Sequence, residues 1–431
     1  MVTAFLFIIF AVLLILSVPI AASIGLATII TIWLTDFLPV QTMMSDQMAI
    51  RRMFNAIEGS FPLMAIPFFM AAGAIMEKGG MSKRLIHLAS ALVGHRFGGF
   101  ALITVLASLF FASMSGSSPA TAAAIGAIMI PAMIKNGYKP DFAAATQASS
   151  SFIGVILPPS ILMVTFGVMT GTSIGDLFIA GIIPGLLIAT GTMIVAIILS
   201  RKYGYRGHGE PALFREVLIA LWKAVPAMIM PIIILWGIFG GWFTPTEAAN
   251  VAVVYGLIVG FFIYREMTLK DLPKVLRAAS INTAMVMFII AVASAFSVLL
   301  TMEQIPTQLA QLLLGITDNP IMLLMILNVM LLILGAFLEA NAAIIILAPI
   351  LLPAVIELGI NPIHFGIIMV VNLAIGMVTP PVGLNLFVTS SISKVSIEKI
   401  IGANWWYLLA SIIVLGIITY IPEISLFLVD R

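Results

Sequence analysis

The chain has no cysteine and few charged residues for its length of 431 residues. Only 9% of the residues are charged and 62% are hydrophobic, whereas roughly a quarter of the residues of a soluble domain are charged. A soluble protein of this length could not cover its surface with so few charges, which excludes a soluble enzyme, a disordered protein and a nucleic-acid-binding protein. The absence of cysteine excludes a disulfide framework, a thiolate zinc site and a thiol nucleophile.

Long apolar runs predict a polytopic, all-α protein embedded in the lipid bilayer, since a spanning helix needs about 20 apolar residues. The first run, 2–35, is too long for a signal peptide and predicts either one tilted helix or two short helices that meet near Pro19. The other predicted spans are 60–77, 98–134, 142–170, 177–200, 217–240, 245–264, 279–302, 320–356, 364–392 and 402–421. Two of these regions, 98–134 and 320–356, are apolar but interrupted by small and polar residues.

Lysine and arginine indicate the side of each loop, because both are enriched on the cytoplasmic side of membrane proteins. The loops rich in these residues are predicted to be cytoplasmic: 78–84, 135–139, 201–215 and 265–277. The loops without them are predicted to be external: 303–319 and 357–363. Arg51 and Arg52 fit this pattern less well, because counting spans from the other loops places them outside.

Residues 131–159 recur at 353–381 with an offset of 222 positions. Nine of the 29 aligned positions are identical, and most of those nine are Pro or Gly. In the first repeat the loop at 135–139 has two lysines, and its counterpart in the second repeat, 357–361, has none. The reverse holds after the broken span, where the loop near 394–399 of the second repeat has two lysines and its counterpart in the first repeat, 172–176, has none. Equivalent loops therefore lie on opposite sides, and inverted repeats of this kind are typical of secondary transporters.

Each repeat is predicted to contain the same three parts. The first is an amphipathic helix at the membrane interface, at 81–96 and again at 304–318. The second is an apolar re-entrant hairpin that enters and leaves the membrane on one side. The third is a span broken at Pro158-Pro159 in the first repeat, and at the equivalent Pro-Pro pair in the second, because proline donates no backbone hydrogen bond and clashes with the preceding turn.

The hairpin tips and the breaks together predict the chemistry of the protein. Ser118, followed by Pro119, is the predicted N-cap of the returning half-helix in the first tip, and Asn341 is the predicted N-cap in the second. Carbonyls before each Pro-Pro pair lose their helical partners, and with nearby hydroxyls they supply oxygen ligands that suit Na⁺. Half-helix N-termini favour an anion. We therefore expect two pseudo-symmetric cation sites, each between a tip and a broken helix, with an anionic substrate between them.

Several polar residues also have structural interpretations. The serines at 149–151, taken alone, are better explained by close helix packing. Glu339 is the one acidic residue inside an apolar hairpin, so it is either functional or part of a water-exposed hairpin end. Glu247 forms a predicted capping box with Thr244. The four histidines are scattered along the chain and predict no metal site.

Other functional classes compete with a symporter. A channel could use polar hairpins, but it would not need paired breaks in inverted halves. A Na⁺/H⁺ antiporter of related architecture normally has a carboxylate pair near the midplane, and Glu339 is the one candidate here. The chain is not predicted to be an enzyme, because it offers no cysteine and no cluster of His and Asp.

Three segments resemble the large membrane subunit (M subunit) of TRAP transporters, the tripartite ATP-independent periplasmic transporters: FPLMAIPFF at 61–69, GGWFTPTEAA at 240–249 and GMVTPPVGLN at 376–385. The resemblance covers nearly the whole chain and implies a multi-pass importer of organic acids in the bacterial inner (cytoplasmic) membrane, coupled to Na⁺ and working by an elevator movement. It implies two partners, a small four-helix membrane subunit and a soluble periplasmic substrate-binding protein. The sialic-acid members look most similar, and they are favoured over the C4-dicarboxylate members, which share these motifs.

The resemblance also implies site residues and domains. Oxygen ligands for Na⁺ are expected at the two tips and breaks, from Ser115, Gly116, Ser118, Ser151, Gly154, Val155 and Pro158 and from Gly335, Glu339, Gly376, Thr379 and Pro380. Substrate contacts are expected from Ser117, Thr121, Pro159, Ser160, Asn341, Pro381 and Asn385. No arginine is evident at membrane depth, so the substrate carboxylate must be held by half-helix dipoles, hydroxyls and amides, or by a residue that the sequence does not identify. Scaffold helices are expected at 1–77 and 201–302, transport segments at 78–200 and 303–400, and a C-terminal helix at 401–431.

Overall fold

The computed structural model describes residues 2–37, 44–58, 60–207, 211–317 and 319–429, and these ranges form helices and connecting loops with no strand. Nine helical segments within them are long and apolar enough to cross a membrane. The prediction of an all-α, polytopic membrane protein is therefore confirmed. The end of the second predicted interfacial helix, at 318, lies outside the described residues.

The N-terminal run forms two helices, which decides between the two alternatives that the sequence left open. The chain turns at 16–19, where Ser17 has a left-handed backbone (φ 60°) and Pro19 cannot donate a backbone hydrogen bond. Arg51 and Arg52 are exposed on a surface helix that packs against the long helix starting at Leu272. The N-terminal helices are α1 Val2–Ile15, α2 Ile20–Phe37, α3 Asp46–Glu58 and, after a 3₁₀ turn at Phe61–Met64, α4 Ala65–Lys78.

The first repeat contains the predicted interfacial helix, hairpin and broken span. Its helices are α5 Met81–Val93, α6 Gly99–Ser115, α7 Ser118–Lys135, α8 Pro140–Ser151, α9 Ile161–Thr170, α10 Ile174–Ala180 and α11 Ile182–Tyr203. The interfacial helix α5 buries Met81, Leu85 and Leu88 and packs against α6 and the helix that begins at Phe214. A 3₁₀ turn at Phe152–Val155 follows α8, so the span is broken where the Pro-Pro pair predicts.

Three long helices connect the repeats: α12 Phe214–Phe239, α13 Pro245–Ile258 and α14 Leu272–Met302. The predicted capping box starts α13, since the Thr244 N–H donates to the Glu247 carboxylate at 2.8 Å and the Glu247 N–H donates to Thr244 Oγ1 at 3.3 Å. The last turn of this helix, Val259–Ile263, is a π-helix. The structural interpretation of Glu247 is thus confirmed.

The second repeat has the same order of parts as the first. Its helices are α15 Ile305–Ile316, α16 Pro320–Phe337, α17 Ala340–Glu357, α18 Pro362–Gly376 and α19 Leu384–Ser393, followed by α20 Ile397–Tyr420 and α21 Glu423–Leu426. Each repeat contributes its second half-helix to the hairpin of the other: α9 packs against α17, and α19 packs against α7. Helix α20 packs against α8 and α11, so the two repeats interlock into one core.

Candidate ion and substrate site

The first hairpin tip is a tight turn between two buried helix ends. Helix α6 ends at Ser115, and Gly116 has a left-handed backbone (φ 61°) that turns the chain without the steric penalty a side chain would add. Ser117 is then extended and acts as the N-cap, with Oγ accepting from the Ala120 N–H at 3.5 Å. The prediction that Ser118 is the N-cap was wrong by one residue, because the glycine completes the turn early enough for Ser118 to be helical already.

The first tip lies directly against the first break. The Ile161 N–H, just after the cis Pro158-Pro159 pair, donates to the Gly116 carbonyl at 3.3 Å. On the other side of the break, a Cβ added to Gly154 would come 3.0 Å from the Ser117 carbonyl oxygen. The predicted site residues of the tip and of the break are thus brought together, with backbone against backbone.

Hydroxyl groups surround this contact. Thr121 Oγ1 donates to the Ser117 carbonyl at 2.8 Å and lies 3.0 Å from the Ser115 hydroxyl. Ser160 is the N-cap of α9, and its hydroxyl also donates to the Val155 carbonyl at 2.5 Å. The structure therefore groups several oxygen atoms, carbonyl and hydroxyl, around the first tip and break, as a hard cation requires.

The second tip and break repeat the arrangement. The Val382 N–H, just after the cis Pro380-Pro381 pair, donates to the Ala336 carbonyl at 3.2 Å. Backbone approaches backbone here as well, since a Cβ added to Gly376 would come 2.4 Å from the Gly335 carbonyl oxygen. Gly376 is the repeat equivalent of Gly154, so in both repeats a glycine before the Pro-Pro pair permits close contact with the hairpin tip.

The N-cap of the second half-helix is Glu339, which corrects the prediction of Asn341. The Glu339 carboxylate accepts from the Ala342 N–H at 3.0 Å and from Asn341 Nδ2 at 2.9 Å. The break between α16 and α17 occurs at Leu338, which has an extended backbone, so the helix starts at Ala340 and its N-cap lies two residues before Asn341. The one acidic residue of the hairpin thus holds the tip together.

The predicted ligands Thr379 and Ser151 lie in the same region, but each hydroxyl bonds to a carbonyl three or four residues earlier in its own segment. Thr379 Oγ1 donates to the Ile375 carbonyl at 2.8 Å, and Ser151 Oγ donates to the Ala148 carbonyl at 2.7 Å. Ser149 donates to Asn404 on α20 at 2.5 Å, and Ser150 donates to the Thr146 carbonyl. These contacts agree with the packing interpretation of the serines at 149 and 150.

Two side-chain hydrogen bonds join the repeats across the centre of the site. Asn385 Nδ2, on α19 of the second repeat, donates to Ser118 Oγ on the first hairpin at 2.6 Å. In the opposite sense, Thr165 Oγ1, on α9 of the first repeat, donates to Asn341 Oδ1 on the second hairpin at 3.2 Å. Each hairpin is therefore held by an amide–hydroxyl pair to the other repeat's half-helix.

Sequence reasoning missed Gln147 and Thr165. Gln147 is fully buried on α8, and its Nε2 donates to the Thr121 carbonyl at 3.2 Å. Among the described residues, its Oε1 and the Oδ1 of Asn385 are buried and have no hydrogen-bond partner. The repeat gives no signal for Gln147, because the equivalent position is Met369; the only signal was a lone amide in an apolar helix.

Apart from the half-buried Glu339 at the second tip, the two tips and the two breaks carry no acidic or basic side chain. The polar side chains that are buried in the described part of the chain are Ser, Thr, Asn, Gln and His, and no Lys, Arg, Asp or Glu is among them. Within the same ranges no three His, Asp or Glu residues are grouped as a metal cluster. A small anion placed between the repeats would meet amides, hydroxyls and half-helix N-termini.

A family profile described as "Tripartite ATP-independent periplasmic transporter, DctM component" matches residues 7–424. The chain belongs to this family. Its relatives include the C4-dicarboxylate TRAP transporter large permease protein DctM of Pseudomonas aeruginosa, which is 48% identical over 85% of this chain and 86% of that protein. The TRAP resemblance inferred from the three sequence motifs is confirmed, and the relatives are named as transporter permeases rather than as enzymes.

Relatives with other named substrates are similar to this TRAP subunit as well. The isethionate TRAP transporter permease protein DctMQ of Oleidesulfovibrio alaskensis is 46% identical over 97% of this chain. The chain spans 65% of the length of that relative. The sialic acid TRAP transporter large permease protein SiaM of Vibrio cholerae is 37% identical over 88% of each chain.

Two solved structures share the fold. The YdaH transporter of Alcanivorax borkumensis superposes with a TM-score of 0.62 and 15% identity, over 93% of this chain and 96% of that one. MtrF of Neisseria gonorrhoeae superposes with a TM-score of 0.57 and 14% identity, over 89% and 87%. At this level of identity the likeness concerns architecture alone, and it supports a polytopic transporter fold.

Proposed function

We propose that this TRAP subunit carries out Na⁺-coupled secondary uptake of a small organic anion across the bacterial inner membrane. The observation that carries the proposal is the pair of equivalent contacts in which a hairpin tip lies against a Pro-Pro break, one in each inverted repeat. Paired broken elements at the interface of inverted repeats are where secondary transporters bind substrate and coupling ions.

Sodium would be held by carbonyl and hydroxyl oxygens at the two contacts. In the first, the tip residues from Ser115 to Ser118 and the break from Ser151 to Pro158 supply them. In the second, the tip residues from Gly335 to Glu339 and the break from Gly376 to Pro380 supply them. The support is the close approach of these segments and the grouping of oxygen atoms around them.

The substrate would lie between the two contacts, near Asn385 and Asn341. Relatives are named for C4-dicarboxylate, isethionate, sialic acid and 2,3-diketo-L-gulonate, all of which are small organic anions. Identities of 48%, 46% and 37% to the relatives named for C4-dicarboxylate, isethionate and sialic acid do not favour sialic acid, which the sequence motifs had favoured. We therefore propose the class, a small carboxylate or sulfonate, and expect amides, hydroxyls and half-helix N-termini to hold it.

The movement and the partners follow from the same proposal. The segments 78–200 and 303–400 would move as one transport body, and 1–77 and 201–302 would form the scaffold. The interfacial helices at 81–96 and 304–318 would connect the two. Helix α20, in 401–431, packs against α8 and α11 and would move with the transport body. A soluble periplasmic binding protein would deliver the anion, and a small four-helix membrane subunit would complete the complex.

An antiporter or a channel is less well supported. A Na⁺/H⁺ antiporter would need carboxylates at the midplane, but no acidic side chain is buried in the described ranges and Glu339 caps a helix. A channel would conduct without saturation and without a Na⁺ gradient. Both alternatives give a different result in the experiment below.

Reconstituted uptake tests the proposal. Proteoliposomes that contain the subunit with its small membrane partner, supplied with a loaded binding protein, should accumulate the anion only under an inward Na⁺ gradient, and the rate should saturate. Replacement of Na⁺ by K⁺ should abolish accumulation. Accumulation that is unchanged in K⁺ would overturn the Na⁺ coupling, and flux that does not saturate would favour a channel.

Thr379→Val tests the second cation site at one atom. Valine keeps the shape of threonine and removes the hydroxyl oxygen, so we expect a higher Na⁺ concentration for half-maximal uptake and an unchanged affinity for the binding protein. Thr192→Val is the control, because Thr192 Oγ1 likewise donates to the carbonyl four residues earlier (Ile188, 2.9 Å), on α11 and away from both breaks. An unaltered Na⁺ dependence in a folded Thr379→Val variant would exclude Thr379 as a side-chain ligand.

A further inference from the structure

A polar cavity lies where the two repeats meet on the side of the basic loops. It has a volume of ≈ 360 Å³ and is lined by Lys139 and Asp141 at the start of α8 and by Lys394, Ser396 and Lys399 around the start of α20. We name it the basic pocket. It is separate from the ion and substrate region, because α8 has 12 residues and thus places the pocket about 18 Å from the first break.

The basic pocket carries excess positive charge. None of the three lysines forms an ion pair with a carboxylate in the described part of the chain. Asp141 is the one acidic lining residue, and in the first turn of α8 its Oδ1 accepts from the Phe142 N–H at 2.8 Å. With three lysines and one aspartate in its lining, the basic pocket has a net positive charge and attracts anions.

Hydrogen bonds hold both walls of the basic pocket in place. On the first wall, the Lys139 N–H donates to the Tyr205 hydroxyl at 3.0 Å, and Nζ lies 5.4 Å from the centre of the Tyr203 ring. On the second wall, the Lys394 N–H donates to the Ser390 carbonyl at 2.9 Å. Since the lysines project from an ordered frame, less conformational freedom is lost when an anion binds.

Two tryptophans indicate the depth of the basic pocket in the membrane. Trp405 and Trp406 are 60% and 52% exposed on α20, six and seven residues after Lys399, which is about 9–10 Å along the helix. Exposed tryptophan is enriched at the level of the lipid headgroups. The pocket therefore lies at or just outside the headgroup layer, on the side that the basic loops mark as cytoplasmic.

We propose that the basic pocket binds the phosphate of an anionic phospholipid from the cytoplasmic leaflet. Lysines at this depth attract anionic lipids. A free phosphate in the cytosol presents the same chemistry, so the experiment separates the two sources. Because the pocket takes one wall from each repeat, a bound phosphate would bridge them. The proposal does not depend on Na⁺ coupling or on the transported anion.

Native mass spectrometry of the purified, delipidated subunit tests the proposal. Phosphatidylglycerol should bind to the wild type more tightly than phosphatidylcholine does. Replacing the lining lysines together, as K139Q, K394Q and K399Q, should weaken phosphatidylglycerol binding at least about tenfold, since each lysine near the surface contributes about 1 kcal/mol, or roughly fivefold. The charge-preserving set K139R, K394R and K399R should keep the affinity, which separates lost charge from misfolding.

A matched control removes the same charge elsewhere on the basic side. The set K135Q, K202Q and K270Q changes three exposed lysines that do not line the basic pocket and form no ion pair with a described carboxylate. It should bind phosphatidylglycerol like the wild type. Equal weakening in both glutamine sets would overturn a specific site. Displacement of the lipid by millimolar inorganic phosphate would overturn the lipid as the source of the phosphate.

Discussion

At the scale of single residues, two glycines define the contacts between tips and breaks. A Cβ on Gly154 would come 2.7 Å from Thr121 Oγ1, and a Cβ on Gly376 would come 2.4 Å from the Gly335 carbonyl oxygen. Real Cβ atoms essentially never approach other heavy atoms this closely, so any other residue must separate the tip from the break. The identity of these positions in both repeats thus has a direct steric cause.

We predict that Gly376→Ala and Gly154→Ala each abolish most of the uptake. The added methyl overpacks the contact, which typically costs about 1–3 kcal/mol, and it displaces the oxygen atoms that would bind Na⁺. Uptake in proteoliposomes and thermal unfolding in detergent measure the two effects.

Gly402→Ala is the control for this prediction, because Gly402 is also helical and nothing lies within 4 Å of its added Cβ. It should keep uptake and leave the unfolding temperature unchanged or slightly higher. Uptake at the wild-type rate in the Gly376→Ala variant would show that close contact at the second break is not needed.

Residue-level roles were only partly predictable from the sequence. The roles of the Pro-Pro pairs and of the glycines were predictable, because these residues break helices in any context and recur in both repeats. The N-caps were misplaced at Ser118 and Asn341, because the cap depends on where the preceding turn ends. Gln147 was missed because its partner, Thr121, is 26 residues away and no local pattern joins them.

At the scale of elements, the inverted order of the repeats gives a direct test. Lys139 and Asn361 are equivalent by the repeat offset, precede α8 and α18 respectively, and are both exposed. We expect them on opposite sides of the membrane. With no native cysteine in the chain, an impermeant maleimide added from the periplasmic side should label Asn361→Cys and not Lys139→Cys. Labelling of both variants from that side would contradict the inverted topology.

Ion pairs attach the interfacial helix α5 to the scaffold. Lys83 Nζ donates to Glu266 at 2.8 Å, and Arg84 also pairs with Glu266. The hydrogen bond from Lys83 is the main cause that lowers the pKa of Glu266 below its ordinary value of 4.5. Lys78 pairs with Asp271 at 3.1 Å, and hydrogen bonds from Thr268 and from Lys78 lower the pKa of Asp271 to about 2.

These lowered pKa values predict acid sensitivity. A carboxylate with a lowered folded-state pKa adds stability above its ordinary pKa, and this stability is lost as the pH falls toward the folded-state value. Glu266→Gln should therefore lower Tm at pH 7, and the difference from the wild type should shrink below about pH 4.5. High salt should reduce the difference too.

Glu357→Gln serves as the control for acid sensitivity. Glu357 is exposed at the end of α17 and has no ion pair among the described residues, so its Tm difference from the wild type should be small at every pH. If Glu266→Gln shifts Tm equally at pH 7 and at pH 4, the ion pairs do not stabilise the attachment of α5.

The elements themselves were largely predictable. The two hairpins, the two breaks and both interfacial helices lie where the apolar runs and the Pro-Pro pairs place them. The N-terminal run 2–35 was not decided by the sequence, since a single proline near its middle is compatible with a kinked helix or with two helices. The left-handed turn at Ser17 decides it.

At the scale of the whole molecule, the repeats are interlocked rather than side by side. The Ser118–Asn385 bond joins residues 267 positions apart, and the Thr165–Asn341 bond joins residues 176 positions apart. Such pairs leave no periodic signal in one sequence, so the crossing of α9 onto α17 and of α19 onto α7 could not be predicted. The crossing couples the two candidate cation sites and is consistent with their moving as one body.

The central claim is that this body moves against the scaffold during transport, and a single disulfide measures it most directly. A Cβ on Gly175, in the proposed transport body, would lie 3.2 Å from Ile238 Cγ2 on scaffold helix α12, so cysteines at these two positions are neighbours across the boundary between the two bodies. Oxidised Gly175→Cys/Ile238→Cys protein should not transport, and reduction should restore uptake. A control pair within the scaffold, Gly25→Cys/Val292→Cys, where the added Cβ lies 3.5 Å from the Val292 Cβ, should transport in both states. Uptake at the wild-type rate by the fully oxidised Gly175→Cys/Ile238→Cys protein would contradict the account.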